Sequence, residues 1–217
     1  IAISLPTLKG PTLVIDVGAN IAPTPEHLFQ YAIMSDIFAR YIHKKKTPAI
    51  SLLNIGEEET KGTDIHKETY KMLRESKLNF IGNIEGRDLF SGRSDCIICD
   101  GFVGNVLLKV TESIADTFYE LFVRQVKRNP LTALGAWLLR PAFKSMQRDT
   151  DYSEAGGAPL LGVDGTVIIS HGSSDARAVR NAINVAGSAV ASDVNGRIIA
   201  ELGNIANDSS RESAKNN

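Results

Sequence analysis

The chain has 217 residues, of which 43% are hydrophobic and 23% are charged, and this is an ordinary composition for a globular protein. Its formal net charge of −1 gives no sign of a general affinity for nucleic acid. No run of about 20 apolar residues occurs, so the sequence offers no membrane-spanning helix. The first residue is isoleucine rather than methionine, and we expect a processed or truncated product.

Apolar runs and helical patterns alternate along the chain. Strands are predicted at residues 12–18, 49–55, 77–83, 95–100 and 166–172. Helices are predicted to begin at Thr24-Pro25-Glu26, at about Asp64, at about Asn105 and at Asp175. Because the strands are continuous apolar runs, they predict an α/β fold with a mostly parallel sheet and helices on both of its faces. We expect one domain over residues 1–207 and a polar tail over 208–217.

The two cysteines, Cys96 and Cys99, lie in the apolar stretch DCIICD. Residues three apart in a strand point to opposite faces of the sheet, which does not suit a redox pair or a zinc site. The pattern favours buried structural thiols, and reduced thiols are typical of a cytoplasmic protein.

Each predicted strand ends in a loop that combines glycine with polar or charged residues. Ligands of open parallel sheets bind beyond the carboxyl ends of the strands, so we predict that these loops form a single site. The candidate residues are Asp16, Gly18, Asn20, Glu57, Lys61, Asn83, Glu85, Arg87, Asp100, Gly101, Gly104, Asn105, His171, Gly172, Ser173 and Ser174. For any single loop, the alternative is that its glycine only permits a tight turn.

The turns at 101–105 and 171–174 each lead from a strand into a helix. Free N–H groups at such turns bind anions, and Lys61 and Arg87 would add full positive charge nearby. His171 either has a structural role or serves as a hydrogen-bond donor or proton carrier.

Asp16 and Asp100 both end apolar strands, where a carboxylate is costly unless it is paired or hydrogen-bonded. They could cap neighbouring N–H groups, orient Lys61 or Arg87, or contact a substrate. The glutamates at 57–59 either orient Lys61 or point to solvent.

The motifs that would indicate a cofactor or a metal do not occur in the sequence. There is no GxGxxG after a strand, no GxxxxGK[ST] and no cluster of histidine and cysteine with metal-ligand spacing. We therefore predict no cofactor and no metal site.

The segment 121–148 differs from the rest of the chain in being basic and apolar. It carries six cations and no acid, so the remainder of the chain carries a charge of −7. We predict a protruding helical hairpin at about 121–150 that contacts an anionic membrane through Leu134, Trp137, Leu138 and Phe143. The alternatives are a dimer arm and a docking surface for an acidic protein.

Five stretches together resemble one known family. They are LPTLKGPTLVIDVGAN, LLNIGEEETKG, NFIGNIEGRDLFSG, CDGFVGNVLLK and GAPLLGVDGTVIISHGSS. From about Leu5 to Ala191 the chain resembles the bacterial phosphate acyltransferases of phospholipid synthesis. The resemblance implies a three-layer α/β/α fold similar to the isocitrate and isopropylmalate dehydrogenases and to phosphotransacetylase. That family has a further N-terminal segment ahead of LPTLKG, so we expect this chain to be its larger C-terminal part.

The resemblance also implies an activity and a set of partners. The family transfers a fatty acyl group from acyl carrier protein to inorganic phosphate, and a membrane glycerol-phosphate acyltransferase uses the acyl phosphate. Its members are homodimers that are cytoplasmic and associate peripherally with the membrane. We expect Lys61, Asn105 and His171 to act in catalysis and the other loop residues to bind phosphate or the thioester.

Two other functions remain as alternatives at this stage. The first is an NAD-dependent dehydrogenase on the related fold, which can bind NAD without a glycine fingerprint. The second is a non-catalytic scaffold that recruits partners to a membrane through residues 121–148.

Overall fold

The computed structural model describes residues 1–144, 157–172 and 174–215. Its strands are β1 (Ala2–Thr7), β2 (Gly10–Ile15), β3 (Ile50–Leu53), β4 (Phe80–Ile84), β5 (Cys96–Ile98), β6 (Ala158–Leu160) and β7 (Val167–Ile169). Its α-helices are α1 (Pro25–Tyr41), α2 (Asp64–Glu75), α3 (Gly101–Val126), α4 (Pro130–Leu138), α5 (Ala176–Ala191) and α6 (Val194–Lys215). Most of the predicted polar tail therefore continues the last helix.

The main sheet has five strands in the order β1-β2-β5-β3-β4. Strands β2, β5, β3 and β4 run parallel, and β1 pairs with β2 in the antiparallel direction. The prediction of an α/β fold with a mostly parallel sheet is confirmed.

Helices cover both faces of this sheet and make the structure three layers deep. On one face, α1, α2 and α6 pack against a core that includes Leu13, Ile50 and Ile98. On the other face, Leu107 and Leu108 of α3 pack against a second core that includes Val14, Leu53, Ile84 and Ile97. Neighbouring residues of one strand thus serve different cores, because successive side chains of a strand point to opposite faces.

The two cysteines follow the same rule. Cys96 lies in the first core and Cys99 in the second, and both are buried free thiols. Burial raises the pKa of Cys96 to about 12 and also raises the pKa of Cys99. Both thiols stay protonated at neutral pH, which confirms the prediction of structural cysteines.

The start of α1 follows the predicted capping pattern. Thr24 is the N-cap residue, and its hydroxyl accepts a hydrogen bond from the His27 N–H at 3.4 Å. The Thr24 N–H in turn donates a hydrogen bond to the Nδ1 atom of the His27 ring at 3.1 Å, and Pro25 occupies the first helical position. This helix therefore begins where the sequence indicates.

The strand predicted at 166–172 lies outside the main sheet. Its ordered part, β7, pairs with β6 as an antiparallel two-stranded sheet with Ala158 opposite Ile169. The connection between β6 and β7 is only six residues long, and short connections favour antiparallel hairpin pairing over a parallel crossover. The expectation that this strand extends the parallel sheet is therefore wrong.

Candidate active site

Four of the five predicted loops meet at one edge of the main sheet. Strands β2, β5, β3 and β4 are parallel neighbours, so the loops that follow them all leave from the carboxyl edge. Two contacts join these loops in pairs. The Gly101 N–H donates to the carbonyl oxygen of Asn20 at 2.8 Å, and the Asn83 side-chain amide donates to the carbonyl oxygen of Glu58 at 2.9 Å.

Asp16 organises the loop after β2. It is 1% exposed, and its carboxylate accepts hydrogen bonds from the N–H groups of Gly18, Ala19 and Asn20. Burial by itself raises the pKa of Asp16, but the hydrogen bonds that its carboxylate accepts outweigh burial and lower the pKa. Of the roles considered for this residue, the geometry favours capping the loop.

The start of α3 packs directly against this loop. A Cβ atom on Gly104 would overlap the carbonyl oxygen of Asp16, and one on Gly101 would lie 2.7 Å from the carbonyl oxygen of Asn20. These two glycines therefore serve the close approach of helix and loop. A Cβ atom on Gly18 would lie 3.7 Å from the side chain of Asn105, so Asn105 lies beside the same loop.

In residues 56–62, here called the lysine loop, two of the three glutamates form ion pairs with arginines outside the loop. Glu57 pairs with Arg93 at 2.7 Å, and Glu59 pairs with Arg74 at 2.9 Å. Within the part of the chain that the structure describes, Lys61 has no carboxylate partner. Of the two orientations considered for the acids, the structure has Glu57 and Glu59 engaged with arginines rather than with Lys61.

Arg87 lies at the same edge in the turn after β4. Its guanidinium pairs with Glu85 at 3.2 Å and its side chain is 72% exposed. An ion pair with this much exposure contributes about 0–1 kcal/mol, so Arg87 can exchange Glu85 for another anion at little cost.

The two helix starts that were predicted to hold an anion both have aspartate caps. Asp100 accepts from the Val103 N–H at 2.8 Å, and Asp175 accepts from the Ala178 N–H at 2.8 Å. Each carboxylate occupies an N–H group and places a negative charge at the helix start, which opposes the binding of an anion there.

The start of α2, directly after the lysine loop, differs in having no side-chain cap, although Asp64 in its first turn carries a carboxylate that pairs with Lys67 at 3.4 Å. Its N-cap residue Thr63 makes no capping hydrogen bond, and the first N–H that is bonded within the helix is that of Lys67. Among the described residues, no acceptor is found for the N–H groups of Asp64, Ile65 and His66. Lys61 therefore precedes three free N–H groups by three to five residues in the sequence.

His66 is a candidate site residue that was not predicted from the sequence. Its Nδ1 atom is 2.8 Å from the Thr63 hydroxyl oxygen, and it interacts electrostatically with Asp100. Burial lowers the pKa of His66 more than Asp100 raises it, so the ring is neutral at pH 7. Its position three residues into a helix after a glycine loop was the available signal.

The loop after β7 is placed by a different sheet. His171, Gly172 and Ser174 follow a strand of the two-stranded sheet, so the convergence of parallel strand ends does not bring them to the carboxyl edge. Ser173 lies outside the described residues. Their part in the site remains a prediction.

The segment that was predicted to form a hairpin contains the end of α3 and helix α4. Asn129 caps α4 through the Thr132 N–H at 2.9 Å, and the rings of Phe122 and Phe143 lie 4.5 Å apart. Leu134, Trp137 and Leu138 are each more than half exposed. Residues 145–150 of the hairpin lie outside the described ranges. No helix in the described ranges is both long and apolar enough to span a bilayer.

The chain matches the family described as "fatty acid synthesis protein" over residues 1–197. It is 45% identical over 203 residues to the phosphate acyltransferase of Syntrophotalea carbinolica, which covers 94% of this chain and 58% of that protein. It is 48% identical over 203 residues to the phosphate acyltransferase of Dictyoglomus turgidum, which covers 93% of this chain and 60% of that protein. It is 46% identical over 202 residues to the phosphate acyltransferase of Aquifex aeolicus, with coverages of 93% and 60%.

The chain thus spans 58–60% of the length of these curated relatives. The family match extends from the first residue through the main sheet and both of its faces. The chain therefore belongs to the fatty acid synthesis protein family.

Proposed function

We propose that the protein transfers a fatty acyl group from acyl carrier protein to inorganic phosphate and so makes acyl phosphate for phospholipid synthesis. Its family and relatives named phosphate acyltransferase support acyl transfer in lipid synthesis. The structural observation that carries the proposal is Lys61, which has no carboxylate partner among the described residues and lies three residues before the uncapped start of α2.

Phosphate binds, in this proposal, at the start of α2. The free N–H groups of residues 64–66 donate to its oxygens, and Lys61 neutralises part of its charge. Arg87 exchanges its exposed partner Glu85 for the anion. The neutral ring of His66 lies at the same helix start and serves as a further hydrogen-bonding group.

The reaction requires no nucleophile from the protein. An oxygen of the phosphate dianion attacks the thioester carbonyl carbon and forms a C–O bond, and the C–S bond then breaks. The carrier leaves as a thiolate, which takes up a proton from solvent because a thiol pKa is about 8.5. Holding phosphate and thioester together is worth up to about 7–11 kcal/mol in favourable systems.

The developing oxyanion needs a donor, and the loss of one such donor typically costs about 3–4 kcal/mol. Asn105 is our first candidate because its side chain lies beside Gly18 at the carboxyl edge. His171 and Ser173 are retained as the other proposed contacts of the carbonyl oxygen. Asp16, Asp100, Gly101 and Gly104 then support the loop and helix that present Asn105.

The partners follow from the same reaction. They are acyl carrier protein, inorganic phosphate, a second subunit, the membrane surface and a downstream glycerol-phosphate acyltransferase. The exposed side chains of Leu134, Trp137 and Leu138, with the cations around them, support peripheral contact with an anionic membrane.

The test is to incubate the intact enzyme with an acyl carrier protein thioester and to measure the free carrier thiol with and without phosphate. We expect thiol release that requires phosphate and that matches the acyl phosphate formed. Release at the same rate without phosphate would show hydrolysis instead, and the proposal would fail.

A further inference from the structure

We infer that Asn54 and Asn83 are positioning residues whose side-chain amides hold the lysine loop and thereby set where Lys61 meets phosphate. The inference rests on the proposed function for the role of Lys61. It does not rest on it for the way in which the loop is held.

Asn54 stands at the end of β3, at the base of the loop. Its side-chain amide donates to the carbonyl oxygen of Lys61 at 3.1 Å, and its side-chain oxygen accepts from the Ile55 N–H at 2.8 Å. Gly62 has a φ of +86°, and a Cβ atom there would lie 2.5 Å from the Asn54 side-chain oxygen. Asn54 therefore holds the carbonyl group of Lys61 and fills the space next to Gly62, where the loop leads into α2.

Asn83 holds the other side of the loop from the neighbouring strand β4. Its amide donates to the carbonyl oxygen of Glu58 at 2.9 Å, and the same carbonyl oxygen accepts from the Lys61 N–H at 3.1 Å. The Glu58 carbonyl group thus connects Asn83 to the backbone of Lys61. Side chains at the ends of two neighbouring strands therefore hydrogen-bond the loop at the carbonyl groups of Glu58 and Lys61.

An asparagine is an unfavourable residue at position 83 if its only role is to stabilise the fold. It is 3% exposed, and its side-chain oxygen has no hydrogen-bond partner among the described residues. A buried acceptor without a donor destabilises a protein, whereas an apolar residue of similar volume would remove that cost. The presence of the Asn83 amide is thus explained by its hydrogen bond to the lysine loop and not by a gain in the stability of the fold.

The remaining fixed contacts of the loop are too exposed to define its position. The pairs of Glu57 with Arg93 and of Glu59 with Arg74 have side chains that are about half exposed or more, and such pairs exchange readily with water. The two buried or partly buried amides are therefore the contacts that place the ammonium group of Lys61 relative to the start of α2.

The experiment compares Asn54→Ala, Asn83→Leu and Asn83→Ala in the intact protein. Asn83→Ala lacks the N–H donor and adds neither bulk nor charge, so it covers the case in which Asn83→Leu does not fold. Asn79→Ala is the matched control. Asn79 directly precedes β4, at the opposite edge of the sheet. Its side-chain amide donates to the carbonyl oxygen of Thr47 at 3.4 Å, and the substitution removes this hydrogen bond.

We expect each of the three variants to raise the KM for phosphate about 10–100-fold, since small displacements of a positioned group have effects of that size. The KM for the acyl carrier protein thioester and the melting temperature of Asn83→Leu should stay close to wild type. Hydrogen exchange at residues 56–62 should become faster in the three variants and stay unchanged in Asn79→Ala.

Equal increases in both KM values together with a lower melting temperature would show a merely structural role and overturn the inference. Unchanged hydrogen exchange at residues 56–62 would overturn it as well. If the wild-type protein shows no phosphate-dependent turnover, the proposed function fails, and the exchange measurement alone then decides whether the amides hold the loop.

Discussion

Lys61 lies among cations that are already paired. Arg74, Arg87 and Arg93 each contact a glutamate, whereas Lys61 has no carboxylate partner in the described part of the chain. We expect Lys61→Ala to raise the KM for phosphate and to lower kcat/KM about 100-fold, because it removes a charge-assisted contact to the nucleophile. Its free energy of unfolding should change by less than about 0.5 kcal/mol, as is usual for a surface substitution.

Initial rates over a range of phosphate concentrations, combined with urea unfolding, check this prediction. Arg74→Ala is the control, because it removes a cation from the same surface and breaks only the pair with Glu59. Arg87→Ala should raise the KM for phosphate as well, but by less than Lys61→Ala. A Lys61→Ala variant with wild-type affinity for phosphate would exclude Lys61 from the site.

Asp16 leads to a prediction about acid stability. Because the pKa of Asp16 in the folded chain is lowered from 3.8, the unfolded chain takes up the proton first as the pH falls. The contribution of Asp16 is therefore complete at neutral pH and is lost as the pH drops below about 4 toward the folded pKa. Asp16→Asn should lower the free energy of unfolding by about 1–3 kcal/mol at pH 7.

Urea unfolding at several pH values between 7 and 3 measures this effect. The difference between wild type and Asp16→Asn should shrink as the pH falls, because protonation removes the same interaction from the wild type. A difference that is constant over this range would mean that the charge of Asp16 does not stabilise the loop.

At the scale of single elements, local signals placed some boundaries and misplaced others. The start of α1 was predicted correctly because Thr24, Pro25 and Glu26 act within one turn. Helix α3 begins at Gly101, four residues before the expected Asn105. Gly101 and Gly104 resemble loop residues by propensity, and their reason for being in a helix is the contact with residues 16–20, which is distant in sequence.

Strand β1 was missed for a similar reason. It contains Pro6, which lies opposite Pro11 of β2, and proline argues against a strand when only the sequence is known. An edge strand tolerates proline because one side of it has no partner to bond. The strand pairing that places β1 at the edge depends on tertiary structure, and so does the burial that makes His66 a candidate for the site.

The packing of α3 on the loop can be tested with two identical substitutions. Gly104→Ala should destabilise the protein by about 3 kcal/mol, since the new methyl group overlaps the carbonyl oxygen of Asp16. Gly187→Ala lies inside α5, where a Cβ atom meets nothing within 4 Å, and it should stabilise the protein by about 0.5–1 kcal/mol. Thermal unfolding of both variants measures the contrast, and equal effects would contradict the close approach at Gly104.

At the scale of the whole molecule, the site depends on strand order. The sequence shows which loops follow strands, and the carboxyl-edge rule then gathers them, provided that the strands share one sheet. Strands β2, β3, β4 and β5 do so, and β7 does not. Periodicity and turn residues contain no information about which strands are neighbours, so the residues after β7 were included in the site on equal terms with the others.

The whole molecule also presents apolar helix faces that the described residues leave uncovered. On α3, the side chains of Val110, Ile114 and Phe118 are each at least half exposed and lie four residues apart, on one face. The membrane candidates Leu134, Trp137 and Leu138 belong instead to α4. We propose this apolar face as the subunit interface, and because it lies on α3 rather than α4, the dimer and membrane hypotheses can be tested apart.

If the intact protein is the homodimer proposed above and α3 forms its interface, Ile114→Glu should shift it from dimer to monomer in size-exclusion chromatography with light scattering, because the variant places a charge in an apolar interface. It should leave binding to anionic liposomes in place. Trp137→Glu should have the same oligomeric state as the wild type. It should lose most of its co-sedimentation with those liposomes, because it replaces an interfacial aromatic ring with a negative charge that the anionic lipid repels. If Trp137→Glu dissociates the dimer and leaves liposome binding unchanged, α4 is a dimer arm, and the membrane contact assigned to residues 121–148 is wrong.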